Sequence, residues 1–138
     1  MTATSFFDTN IFLYVVSASA GDASKRAIAT ALIAACDFAI SLQVMHEFAD
    51  AALRKKRLGV TPDEVRLMLE ELAESYPVLS PTPSLVFRAL DLTLRFQLLY
   101  YDAAILAAAQ EIGCQTLYSE NFSHGQTYGT VQVINPFL

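Results

Sequence analysis

Short apolar, strand-like runs alternate with helical segments along the whole chain, and this order limits the fold more than any other feature. "TSFFDT" reads as a first strand. Asp22 to Ala35 is alanine-rich with spaced Ile28, Leu32 and Ile33, and reads as a helix. "DFAIS" gives a second strand ending in Ser41, which is placed to cap a helix running to about Lys56 or Arg57, stopped by Gly59. Thr61, Pro62 and Glu64 form a capping box before an apolar side made of Val65, Leu67, Met68, Leu69 and Leu72. "YPVLS" is a third strand, and Thr82 to Ser84 opens a helix through about Phe96. A further helix covers Asp102 to Ile112 and ends at Gly113, followed by strands in "QTLYS" and "VQVINP". Strands alternating with helices predict an α/β fold, a mostly parallel sheet of about five strands with helices on both faces. Each crossover is expected to be right-handed. In such sheets ligands bind beyond the carboxyl ends of the strands, where the winding reverses.

The 138 residues suit one domain spanning 1–138. Hydrophobic residues make up 54% and charged residues 17%, apolar enough to predict some interface surface. No apolar run reaches the ~18 residues of a membrane span, and the N-terminus lacks the basic start and apolar core of a signal peptide. No membrane association and a cytoplasmic location are therefore expected. Cys36 and Cys114 stand apart in apolar surroundings, as core cysteines do, without the spacing of a zinc site or disulfide framework. Nine Lys plus Arg against fourteen Asp plus Glu leave a net charge of −5, which argues against nonspecific nucleic-acid binding by bulk charge. A nuclease whose acidic cleft is neutralised by cations remains compatible with that balance.

Four segments carry the chemistry: "FFDTN", "VMHEF", "YYDAA" and "YSENF". Asp8 ends the first strand, and Glu47 lies about two turns into the helix after the second. Asp102 stands in the first turn of its helix, and Glu120 and Asn121 follow the fourth strand. In a parallel sheet all four segments converge on one edge. Carboxylates gathered in one cleft repel one another and stay ionised only when cations offset the charge. Hard oxygen ligands of this kind suit Mg²⁺ or Mn²⁺.

The ordered set resembles the PIN-domain family, in its VapC-like form, the toxin ribonuclease of bacterial type II toxin–antitoxin systems. The resemblance spans nearly the whole chain, from the Asp-Thr-Asn motif through "YYDAAILAAA" and "LYSENFSHGQ" to "VINPF". It implies a PIN-like three-layer α/β/α domain and a metal-dependent endoribonuclease that hydrolyses RNA phosphodiesters. It further implies Mg²⁺ or Mn²⁺ as cofactor, a cognate antitoxin as partner and a homodimer. Asp8, Glu47 and Asp102 match the family's acidic positions. The resemblance has Asp8 and Asp102 hold the principal ion and Glu47 bind a second ion or orient its water. The fourth acidic position matches Asn121, which is neutral; that departure predicts impaired metal binding or water activation, with Glu120 next to it as a partial substitute.

Each residue also has a structural reading. Asp8 is placed to cap a helix, Asp102 to favour the helix dipole, Glu47 to be a solvated helix residue, and Asn121 to form a turn. His46 and His124 read as structural or surface residues. The run "RKKR", Arg54 to Arg57, suits a helix C-terminus, or else meets RNA phosphates together with Lys25 and Arg26. Tyr14, Tyr100, Tyr101 and Tyr128 fill a core edge or stack on bases. Two rival functions stand beside the nuclease. An aspartyl-nucleophile phosphatase needs an acid two residues after Asp8, where this chain has Asn10. A PIN-fold binding module that has lost hydrolysis through Asn121 would act through protein or RNA contacts.

Overall fold

The computed structural model describes residues 3–138. Six strands form one sheet: β1 (Ser5–Phe7), β2 (Phe38–Ser41), β3 (Val78–Leu79), β4 (Thr116–Tyr118), β5 (Thr127–Tyr128) and β6 (Val131–Ile134). Their order is β3-β2-β1-β4-β6-β5, and every pairing is parallel except β5 with β6. The five expected strands are all present. The sixth, β5, is a two-residue edge strand, too short to leave a period-2 pattern. The α-helices are α1 (Thr9–Val16), α2 (Ala23–Ala35), α3 (Leu42–Arg54), α4 (Pro62–Ser75), α5 (Pro83–Phe96) and α6 (Tyr100–Ile112). No helix among the described residues is long and apolar enough to cross a membrane.

The central strand β1 is buried on both faces, with Phe6 and Phe7 fully inside. Strands covered on both sides read as continuous apolar runs, which is why "SFF" shows no alternation. Phe7 stacks on Phe38 of β2 at 4.1 Å, and Phe38 stacks in turn on Tyr76 at 3.9 Å. Helix α6 is buried from Ala103 and through Ile105–Ala109, and its alanines let it lie close to its neighbours. Cys114 is buried as expected, Cys36 only partly, and both are free thiols.

The element ends follow local chemistry. Ser41 Oγ accepts from the Val44 N–H (3.4 Å), and Thr82 Oγ1 from the Leu85 N–H (3.3 Å). At α4 the Glu64 N–H donates to Thr61 Oγ1 (3.2 Å), but the Glu64 carboxylate takes the Thr61 hydroxyl (3.1 Å) rather than a backbone N–H. The helix after β2 ends at Arg54, earlier than expected; a short 3₁₀ turn, Lys56–Leu58, then reaches Gly59 at φ 68°. The helix expected from Asp102 begins two residues sooner, at Tyr100. Helix α1 is marked in the sequence only by its cap, Asp8, because its β-branched and aromatic run "NIFLYVV" obscures a helical period.

The winding reverses at the middle of the sheet. From β1 the chain builds outward through β2 and β3, then returns to place β4 on the other side of β1. The carboxyl ends of β1 and β4 are thus neighbours, held in register by Phe7 opposite Tyr118 and by the Asp8 N–H donating to the Tyr118 carbonyl (3.0 Å).

Helix α5 hands over to α6 through Gln97, a non-glycine residue at φ 59° in the left-handed region. That conformation costs an L-residue about 1 kcal/mol or more. Gln97→Gly is therefore expected to raise the unfolding free energy by about 1 kcal/mol. Gln97→Val should lower it, because a branched Cβ tolerates positive φ poorly. Urea denaturation of the two variants checks both signs.

Candidate metal centre

Asp8, Glu47, Asp102 and Asn121 all line one cavity of about 370 Å³ at the junction of β1 and β4. Each arrives by a different element. Asp8 follows β1 and caps α1, its Oδ1 accepting from the Thr9 N–H at 2.7 Å. Capping and cavity lining are therefore both true of Asp8. Glu47 comes from the second turn of α3 and Asp102 from the first turn of α6. Asn121 follows β4 on an exposed turn, its N–H donating to Ser119 Oγ (3.0 Å).

The carboxylate of Asp8 is buried, at 2% exposure. Its second oxygen accepts from the hydroxyl of Ser119, itself wholly buried, at 2.7 Å. Burial pushes the Asp8 carboxyl up to about 6, against the downward pull of the Ser119 and Thr9 hydrogen bonds; the charges of Glu47 and Asp102 push it further up. Asp102 is raised by burial and then by the charge of Glu47. Glu47 is held in place by the Thr9 hydroxyl, donating to Oε1 at 2.8 Å, and by Gln43 Nε2 at 3.2 Å. These bonds keep the acids at the cavity wall. Among the described residues, no three His, Cys, Asp or Glu side chains are already drawn into a cage of ion-binding size.

Three features of the cavity were not read from the sequence. Thr9 and Ser119 orient the acids, and neither is distinguishable from an ordinary turn residue in sequence. Asp50 also lines the cavity, three residues after Glu47; that i, i+3 spacing on one helix face was a usable signal. Glu120 does not stand free beside Asn121. Its carboxylate accepts from the Tyr14 hydroxyl (2.6 Å) and from Lys25 Nζ (3.2 Å), and Lys25 also donates to Tyr14 (3.1 Å).

Arg54, Lys55 and Arg57 line the same cavity, so most of the basic run borders the acids. Arg54 pairs with Asp50 (3.4 Å) and Arg57 with Asp22 (3.0 Å). His46 is exposed and lines a neighbouring apolar groove of about 540 Å³ rather than the acidic cavity. Tyr100 and Tyr101 border that groove, Tyr14 borders the acidic cavity, and Tyr128 is buried in the core. His124 is exposed, its Nδ1 accepting from the Asn135 N–H (3.0 Å).

The donor set of Asp8, Glu47, Asp102 and Asn121 suits a hard divalent cation, since these four offer carboxylate and amide oxygens. A buried carboxylate with raised affinity for protons and no cationic partner of its own is the electrostatic state that a cation relieves. Asp8 also makes stability depend on pH. Its folded value lies above its ordinary one, so its contribution favours the fold below pH ~4 and is lost as pH rises through about 6. In EDTA, Asp8→Asn is expected to gain stability relative to the parent protein as pH rises from 5 to 7.5, by about 1 kcal/mol. Thermal unfolding of both proteins across that range tests this; a difference that does not change with pH would contradict it.

The fold is shared with solved structures. It is similar to a chain of a toxin–antitoxin complex from Klebsiella pneumoniae, at 25% identity and TM-score 0.67 over 96% of this chain and 97% of that one. It is also similar to VapC20 of Mycobacterium tuberculosis, a sarcin–ricin-loop-cleaving toxin (21% identity, TM-score 0.65, 82% and 86% covered). VapBC2 from Rickettsia felis, solved with a DNA fragment from its promoter, superimposes at TM-score 0.62 with 16% identity, over 94% of this chain and 96% of that one. No curated protein matches the sequence. The PIN domain family model matches residues 5–127, and on that match the chain belongs to the PIN domain family.

Proposed function

We propose that this protein is a metal-dependent endoribonuclease, the toxin of a toxin–antitoxin pair. The observation that carries the reading is the convergence of Asp8, Glu47 and Asp102 on one cavity at the point where the winding reverses. Membership of the PIN family and likeness to toxin structures support it. Mg²⁺ or Mn²⁺, when bound, supplies a hydroxide-like nucleophile near neutral pH and offsets charge on the scissile phosphate.

The chain's own residues have separable tasks. Asp8 and Asp102 hold the principal cation, and Glu47 holds a second ion or orients its water. The Thr9 N–H and the Ser119 hydroxyl each fix one oxygen of Asp8, so its carboxylate cannot swing away. The Thr9 hydroxyl ties Glu47 to the same turn. Arg54, Lys55 and Arg57 border the acids and are placed to meet RNA phosphates. Asn121 offers an oxygen without charge, and Glu120, committed to Tyr14 and Lys25, does not replace it. The antitoxin would cover the acidic cavity and its apolar neighbour, which share Glu47 and Asp50. The exposed face of α5, with Val86, Phe87, Leu90 and Leu94, is available for a homodimer. On this reading the protein works in the cytoplasm, where its RNA substrate is.

A second reading rests on Asn121: a PIN-fold module that binds but cuts weakly. Incubation with structured RNA and Mg²⁺ or Mn²⁺ separates the two. The nuclease reading predicts cleavage that EDTA and Asp8→Asn both abolish, and that Asn121→Asp increases. Binding without cutting in any of these proteins would favour the module.

Replacing Arg54, Lys55 and Arg57 together with Ala is expected to lower the dependence of log affinity for single-stranded RNA on log salt by about 2. An unchanged salt slope would return the three to a helix end that never meets RNA.

A further inference from the structure

We infer that Asn10 supplies a neutral oxygen to the cation of this centre. Asn10 lies in the first turn of α1, two residues after Asp8, and lines the acidic cavity. It is 8% exposed. Its Oδ1 and Nδ2 are the buried side-chain polar atoms, among the described residues, left without a hydrogen-bond partner. Buried carboxamides are ordinarily paired, because an unmet one carries its full desolvation penalty. An unpaired carboxamide at the wall of a carboxylate cavity is a group that a cation entering that cavity can engage.

The surrounding geometry indicates what that is. Each Asp8 oxygen already accepts one hydrogen bond, from the Thr9 N–H or the Ser119 hydroxyl, which leaves it a further lone pair for an ion, and Glu47 is engaged by Thr9 and Gln43. No three acidic side chains among the described residues are gathered closely enough to enclose an ion alone. A hard cation here therefore needs further oxygens, and Mg²⁺ and Mn²⁺ accept amide carbonyl oxygens and water beside carboxylates. Asn10 Oδ1 is such an oxygen, already desolvated and without a competing donor.

The inference rests on the metal-centre reading, and one calorimetric series separates the two. Mn²⁺ is titrated into the full chain and into Asn10→Leu, Asn10→Ala, Asn10→Asp and Asp8→Asn. Asn10→Leu and Asn10→Ala are expected to weaken Mn²⁺ binding by about tenfold or more. Asn10→Asp keeps an oxygen in place and should retain or improve affinity. Thermal unfolding in EDTA gives an independent readout: Asn10→Leu should melt at or above the parent, because it removes an unmet polar group. Parental Mn²⁺ affinity in both Asn10→Leu and Asn10→Ala would overturn the role of Asn10. If Asp8→Asn also binds Mn²⁺ as the parent does, the metal centre itself is refuted.

Discussion

A carboxylate buried without a positive partner is the constraint around which this structure is organised. Asp8 sits at the carboxyl end of the central strand, 2% exposed, beside Glu47 and Asp102. A protein selected for stability alone would place an apolar residue there or supply a lysine. Here Lys25 pairs with Glu120, Arg57 with Asp22 and Arg54 with Asp50, and no ion pair among the described residues involves Asp8. The fold instead gives Asp8 two neutral donors, Thr9 and Ser119, which fix its direction without cancelling its charge. Such a group is oriented for a ligand that brings its own positive charge.

The sheet makes that arrangement possible. The fully buried strand β1 and the buried centre of β4 pack Phe6, Phe7 and Leu117 into the middle of the domain. The reversal at β1 and β4 leaves their carboxyl ends side by side, open to the cavity. Helices α3 and α6 then begin near the same edge and contribute one acid each from their early turns. Acids distant in sequence therefore meet without long loops, and rigid elements rather than flexible segments hold them.

Much of this was legible in the residues. The alternation of strands and helices identifies the layered α/β architecture, the caps Ser41 and Thr61 mark two helix starts to the residue, and Thr82 to Ser84 brackets a third. Asp8, Glu47, Asp102 and Asn121 were each placed at the strand-end rim by topology alone. What the residues alone do not reveal depends on three-dimensional partnership. Helix α1 shows in the sequence only through its Asp8 cap, because its β-branched and aromatic residues are weak helix formers; that cap and the burial of Ile11 and Phe12 hold it. Ser119 is one serine among many until β4 carries it against Asp8. Glu120 looked available to stand in for the missing charge at Asn121, and only the approach of Tyr14 and Lys25 from other helices commits it.

The proposed chemistry requires the three acids to share a cation. Anomalous scattering from crystals grown with Mn²⁺ measures this directly. The expected result is a peak in the cavity, coordinated by Asp8 and Asp102 with Glu47 in its ligand shell. A well-ordered crystal at saturating Mn²⁺ with no peak in that cavity, or with peaks only at other surfaces, would contradict it.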